Sequence, residues 1–202
     1  MKIALFGGSF DPIHYGHLQP VREVMEQLGI DRTIFLPTAQ PPHKLGKQFA
    51  PAASRFVMVE LATLEEEDMW VSAFELTPDQ PAFTIDSVEH FKSEQPEVEF
   101  YLLLGGDAFA ELSSWKRWED LVEAVGLLVM VRPGWRLEDY RERLPVALRA
   151  LALNDRVTFF QNEPVSISAT ELRRRIASGL EVSDQDVPPL VLEYLRKYNL
   201  YR

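Results

Sequence analysis

The chain contains no cysteine, which removes disulfides, thiolate metal sites and a cysteine nucleophile together. It also lacks a long hydrophobic run. The best apolar stretches, residues 101–104 and 127–131, have strand length and end at glycine or at Arg-Pro, far short of the roughly 20 residues that span a bilayer. The Met-Lys start leads straight into a strand-like segment without signal-peptide architecture, and with the missing cysteines this predicts a cytoplasmic protein. Basic charge is scarce: 21 Lys and Arg against 31 Asp and Glu leave a net charge of -10, which disfavours nucleic acid and anionic membranes as partners. In the densest basic cluster, Arg173-Arg174-Arg175, three side chains within one helical turn cannot all face the same surface. Any phosphate bound here is therefore expected to be small and met by a few placed cations. A homo-oligomer stays open.

What is present fits one compact core. With 202 residues, 46% hydrophobic and 26% charged, the composition predicts a single domain over 1–202, with no linker or repeat to divide it. Apolar, β-branched or aromatic runs at 3–6, 33–36, 70–74, 98–104, 126–131 and 157–160 read as strands. Helical periodicity covers 18–28, 52–64, 85–93, 118–124 and 137–151, and a closing helical segment spans 168–178 and 187–198. Alternation of this kind predicts an α/β, Rossmann-like architecture: a mostly parallel sheet with helices on both faces, because each parallel crossover needs such a connection. Residues 37–47 form a turn-rich loop after the second strand.

The string Gly7-Gly8-Ser9-Phe10-Asp11-Pro12-Ile13-His14-Tyr15-Gly16-His17 follows the first strand and precedes the first helix, where α/β folds present backbone amides to ligands. Adjacent glycines suggest a sharp turn and a phosphate approaching without a Cβ in the way. The spacing matches neither the dinucleotide fingerprint nor the Walker loop. His14 and His17, three apart, would project from one face of the helix start and donate hydrogen bonds to phosphate oxygens. Transfer at phosphorus needs alignment and charge stabilisation rather than a nucleophilic side chain. The alternatives are a plain turn, two surface histidines or half a metal site; with no Cys and only His43 and His90 besides, a transition-metal cage is poorly supplied.

The eleven-residue string resembles the H-x-G-H loop of the nucleotidyltransferase superfamily, in the form seen in bacterial nicotinate-nucleotide adenylyltransferases. The resemblance implies that Gly7, Gly8, Ser9 and Phe10 contact ATP and that His14 and His17 bind its phosphates and stabilise the transition state. Near the end of the chain, Ser168-Ala169-Thr170-Glu171 reads as a capping box that starts a helix, with Glu171 reaching back to the cap's amide. Thr170 and Arg173 then share a face near an N-terminus, where they either meet an anion or stay solvated. The segment resembles the family's second signature, Ile-Ser-x-Thr-x-x-Arg, which implies that Ser168, Thr170 and Arg173 hold the triphosphate and that Arg173 offsets charge on the leaving pyrophosphate. Arg174 and Arg175 read as solvated or structural charge.

Gly105-Gly106-Asp107 follows the strongest strand, and Asp107 suits either a ribose diol or a helix N-cap. Trp115 can offer a flat face to a pyridine ring, and Trp118 reads as core. By resemblance, Gly105 and Asp107 reach the ATP nucleotide, while residues 83–87, Trp115 and Lys116 form a nicotinate pocket in which Trp115 stacks on the ring and Thr84 meets the carboxylate. Lys44 would take the acceptor's phosphate. The chain departs from many relatives at Lys116, where they carry an aromatic residue, and at 83–84 and 86–87. The implied reaction joins ATP and nicotinate mononucleotide into deamido-NAD and pyrophosphate, with Mg²⁺ bound mainly through the ATP phosphates and no protein metal ligand named. A phosphopantetheine adenylyltransferase or another transferase of the superfamily should lack Thr84 and Trp115. A nucleotide sensor need not keep both histidines and Arg173, and an aminoacyl-tRNA synthetase fragment should show a Lys-rich motif and an RNA-binding appendage.

Overall fold

The computed structural model describes residues 1–39, 49–76, 83–131, 137–163 and 165–202. Lys44 lies outside them. The elements run β1 (Lys2–Gly8), α1 (Tyr15–Leu28), β2 (Arg32–Pro37), α2 (Ala52–Thr63), β3 (Met69–Val71), α3 (Thr84–Glu94), β4 (Glu99–Gly105), α4 (Gly106–Ala110), α5 (Trp118–Ala124), β5 (Gly126–Val131), α6 (Leu137–Arg143), α7 (Val146–Arg149), β6 (Val157–Gln161), α8 (Ala169–Ala177) and α9 (Pro189–Lys197), with short 3₁₀ turns between some of them.

The strands form one six-stranded parallel sheet in the order β3-β2-β1-β4-β5-β6. β1 pairs with β4 from Lys2↔Glu99 to Leu5↔Leu102, β4 with β5 from Tyr101↔Gly126 to Gly105↔Met130, and β5 with β6 from Leu127↔Val157 to Val131↔Gln161. A parallel strand covered by helices on both sides is buried on both faces, so its apolar run is continuous rather than alternating. Ile3, Ala4, Leu5 and Phe6 in β1 and Leu127, Leu128 and Val129 in β5 are accordingly all buried. The expected α/β, Rossmann-like architecture is the one observed. Among the described residues no helix is long and apolar enough to cross a membrane.

The chain clusters into two compact units. One comprises Met1–Gly7, Glu23–Thr33 and Phe83–Pro164; the other Gly8–Arg22, Ile34–Ala82 and Val165–Arg202.

Three expectations need correction. The strand expected over 70–74 is β3, which stops at Val71 and gives way to a 3₁₀ turn at Phe74–Leu76; the Ser72 hydroxyl accepts the Phe74 amide at 3.2 Å, a local turn that competes with the ladder. The helix expected over 137–151 breaks into α6, α7 and a 3₁₀ turn, because Pro145 has no amide to donate and disfavours helical geometry at Leu144. Gly7 and Gly8 stay inside β1 rather than forming the turn. Instead Phe10 takes the left-handed conformation, at φ 43°.

Candidate active site

The unit that begins at Gly8 gathers the H-x-G-H loop and the Ser168–Arg173 segment. Phe10, a bulky residue in a backbone region it rarely adopts, is held there by burial: its ring is 1% exposed and lies 5.6 Å from that of Phe35. A Cβ on Gly8 would come within 2.8 Å of the Phe10 ring, so glycine at position 8 makes room for this side chain. The Phe10 ring then stands edge-on to His17 at 5.3 Å.

α1 begins at Tyr15, three residues before the sequence periodicity starts. His14 caps it, its carbonyl accepting the amides of His17 at 2.8 Å and Leu18 at 3.3 Å. The two imidazoles lie 3.9 Å apart, tilted by 32°, at the positive end of the helix. Nδ1 of His17 accepts the His14 amide at 3.3 Å, which requires that nitrogen to be unprotonated and leaves the ring proton on Nε2. His14 is 5% exposed, and desolvation pushes its pKa down to about 4, so it is neutral at neutral pH. Its Nδ1 is buried without a hydrogen-bond partner within the protein, which is costly for a polar atom out of water. Gly16, which the sequence reading did not single out, is what lets this ring sit: a Cβ there would come within 2.8 Å of the His14 ring and 3.1 Å of the Ile167 carbonyl oxygen.

That carbonyl belongs to the second motif, so the two signatures meet through backbone at Gly16. They meet again through Arg173, whose Nη1 donates to the Asp11 carbonyl at 2.6 Å and lies 3.6 Å from the Asp11 carboxylate. Ser168 caps α8 as expected, its hydroxyl accepting the Glu171 amide at 3.2 Å. The other half of the capping box does not form: the Glu171 carboxylate instead accepts two bonds from Arg174, at 2.9 and 2.8 Å. Thr170 and Arg173 do share a face, with Arg173 Nη2 3.4 Å from the threonine hydroxyl. Arg175 is structural, bonded to Asp186 at 2.9 Å and to the Glu181 carbonyl.

Beneath the loop lies a residue that sequence reasoning missed. Arg55 on α2 is 1% exposed and donates to three main-chain oxygens: Ser9 at 2.6 Å, Ala39 at 2.9 Å and Ala50 at 3.0 Å. Burial works against its charge, and nearby Asp11 offsets part of that penalty. In the sequence, Arg55 sits in the first turn of a helical stretch and looks like any surface arginine. Asp11, also 1% exposed, accepts from the Ala50 amide at 3.0 Å and the Tyr201 hydroxyl at 2.6 Å.

The other unit holds the second set of candidate residues. Thr84 opens α3 and is half-buried. Lys116, expected beside the acceptor, lies 3.1 Å from both carboxylate oxygens of Asp86 and 4.4 Å above the Phe83 ring. Next to it Arg117, at φ 51°, pairs with Glu89 at 2.8 Å and Asp120 at 2.6 Å. Segments 83–87 and 115–117 are thus joined by charge and ring contacts, and Trp115 is half-buried beside them. Trp118 is half-buried rather than core. Asp107 is not an N-cap: Gly105 caps α4 and Asp107 lies exposed in its first turn. Tyr140 donates to the Gly106 carbonyl at 2.6 Å, buttressing the turn that carries Asp107.

Comparison with known proteins agrees with this geometry. The family profile described as Cytidylyltransferase-like matches residues 5–175. A protein of Solibacter usitatus named "Probable nicotinate-nucleotide adenylyltransferase" is 39% identical over 202 residues, covering all of both chains. A Thermus thermophilus protein with the same name is 40% identical, again over the whole of both. Among solved structures, Plasmodium falciparum nicotinic acid mononucleotide adenylyltransferase complexed with NaAD shares the fold at TM-score 0.77 and 22% identity, over 99% of this chain and 97% of that one. The chain belongs to the cytidylyltransferase-like family and, within it, to the nicotinate-nucleotide adenylyltransferases.

Proposed function

We propose that this chain transfers AMP from ATP to nicotinate mononucleotide, releasing pyrophosphate and giving deamido-NAD. The observation that carries the reading is the double junction of the two phosphate motifs, at Gly16 with the Ile167 carbonyl and at Arg173 with Asp11. It brings neutral donors and one cation together at a helix start, a set suited to polyphosphate. The full-length relatives support the choice of acceptor, and a family match that runs through segments of both compact units supports a single nucleotidyltransferase domain.

In this mechanism the acceptor's phosphate oxygen attacks the α-phosphorus of ATP in line with the departing pyrophosphate, with no covalent enzyme intermediate. His17 donates from Nε2–H, the tautomer fixed by its bond to the His14 amide. His14, held neutral by burial, donates as imidazole and adds no charge that would trap the ground state. Ser168, Thr170 and the α8 amides take the β- and γ-phosphates. Arg173 meets charge as it develops on pyrophosphate. Gly7, Gly8, Ser9 and Phe10 shape the nucleotide loop, and Gly105 and Asp107 take the adenosine ribose. Trp115 stacks on the nicotinate ring, Thr84 donates to its carboxylate, Lys116 lines the pocket and Lys44 holds the acceptor phosphate. A carboxylate suits such donors, whereas an amide would face them with its NH₂.

Mg²⁺ fits as an ion carried by substrate, because the side chains proposed to face the phosphates, His14, His17, Ser168, Thr170 and Arg173, are donors to anionic oxygens rather than carboxylate ligands for the ion. When bound with ATP, it would supply charge neutralisation of the triphosphate that Ser168, Thr170 and Arg173 are proposed to hold.

The test is pyrophosphate release with ATP and Mg²⁺, offering nicotinate mononucleotide, nicotinamide mononucleotide or phosphopantetheine in parallel. Activity is expected on nicotinate mononucleotide, with His17→Ala slower by about 10²–10³-fold. Turnover of phosphopantetheine alone would overturn the acceptor assignment.

A further inference from the structure

The Tyr201 hydroxyl takes no part in the chemistry above, yet it is delivered to the signature loop at a conformational cost. After α9 the chain turns through Asn199 at φ 50° and reaches Tyr201 at φ 65°, both in the left-handed region. Asparagine visits that region readily, but a bulky aromatic residue such as Tyr201 holds it only when its surroundings demand it. The phenol that results donates to Asp11 Oδ1 at 2.6 Å, and burial, together with the bond to Asp11, pushes its pKa far up, so it stays protonated.

The bond matters because of what the rest of Asp11 does. Oδ1 also takes the Ala50 amide at 3.0 Å, so both of that oxygen's lone pairs are occupied and the carboxylate cannot rotate. Oδ2 is buried with no hydrogen bond and lies 3.6 Å from Arg173 Nη1, within ion-pairing range and beyond hydrogen-bonding range. Arg173 is therefore attracted by the carboxylate but bonded to the Asp11 carbonyl at 2.6 Å. A carboxylate free to turn would pair with the guanidinium side-on, the stronger arrangement, and draw it away from a phosphate.

We infer that Tyr201 is a positioning residue for the transfer reaction: by pinning the Asp11 carboxylate it keeps Arg173 only partly neutralised and aimed at the triphosphate. The inference rests on the phosphate-binding role proposed above for Arg173. Removing the phenol oxygen leaves the ring and its packing in place and leaves the carboxylate held by the Ala50 amide alone, free to turn about that single bond.

A double-mutant cycle tests this, using wild type, Tyr201→Phe, Arg173→Ala and the double variant, with kcat, both KM values and melting temperature measured for each. Tyr201→Phe is expected to lower kcat about tenfold, the scale of one charge-assisted hydrogen bond, with KM for nicotinate mononucleotide unchanged. In the Arg173→Ala background the same change should cost less than about twofold. Losses that multiply across the cycle, or a lowered melting temperature with unchanged kcat, would overturn the inference. Should Tyr201→Phe not fold, the isosteric Asp11→Asn, which keeps an acceptor for Tyr201 but turns Oδ2 into a donor facing Arg173, goes through the same cycle with the same criterion. A wild type that releases no pyrophosphate with nicotinate mononucleotide would sink the functional reading and this inference with it, whereas an active wild type with multiplying losses would sink the inference alone.

Discussion

Two neighbourhoods of this chain, the signature loop in one unit and segments 83–87 and 115–117 in the other, treat charge in opposite ways. Around the signature loop, Asp11 and Arg55 are each 1% exposed, and their bonds reach main-chain atoms of Ser9, Ala39 and Ala50. In the other unit, Lys116 and Asp86 are 41% and 45% exposed, and Arg117 and Glu89 46% and 51%. Buried charges are expensive to strand, so they hold backbone in one place; exposed pairs contribute little and exchange readily with water. A phosphate-transfer site gains from the first arrangement, since donors fixed in advance need no reorganisation during the reaction. The pocket wall proposed above for Lys116 has no such requirement and tolerates the second.

The comparison predicts its own largest effect at Arg55. Replacing it by Ala strands three carbonyl oxygens and leaves the Asp11 carboxylate without its buried cationic neighbour, so urea unfolding should show a loss of about 3–5 kcal/mol. A loss below about 1 kcal/mol would mean that the loop is held by packing instead.

Next in size is the acid response of His14. Its pKa falls from 6.5 to about 4 on folding, so below pH 6.5 the unfolded chain binds a proton that the folded chain refuses. Stability from this residue is therefore complete above pH 6.5, is lost as pH falls toward 4, and amounts to about 3 kcal/mol. Between pH 7 and pH 4 the wild type should lose about that much more than His14→Gln. Parallel stability curves for the two proteins would contradict the buried neutral imidazole.

The smallest effect is expected at Lys116. Lys116→Ala removes one exposed pair and should change stability by less than about 1 kcal/mol. KM for the acceptor should rise a few-fold at constant kcat, the mark of binding lost equally from ground and transition states. A large fall in kcat would erase the contrast between the two units.

Much of the fold was legible because strand and helix periodicity is local. The continuous apolar runs at 3–6 and 126–131 lie within observed strands, and α5 has the expected bounds. The misreadings also have local causes: Pro145 interrupting a helical pattern, and Ser72 turning a strand early. The short α4 was missed because Gly105-Gly106-Asp107 looks like a loop and five residues carry no periodicity. At the site, the histidine pair and the Ser-x-x-Glu cap announced themselves by spacing. Gly16 could have been found too, as the glycine between two imidazoles that must stand close together.

By itself, then, the sequence determined the alternation of strands and helices, the place of the H-x-G-H loop at the end of the first strand, and the cap that starts α8. All of these are set by periodicity and by side-chain-to-backbone bonds within a few residues. Only the tertiary structure decided what holds those pieces in register. Arg173 meets Asp11 across 162 residues of chain and Tyr201 meets it across 190, and no local pattern encodes a partner so distant. Burial makes those bonds consequential: in water the same groups would bond to solvent, whereas inside the protein an unmade bond to Asp11 or Arg55 has no replacement.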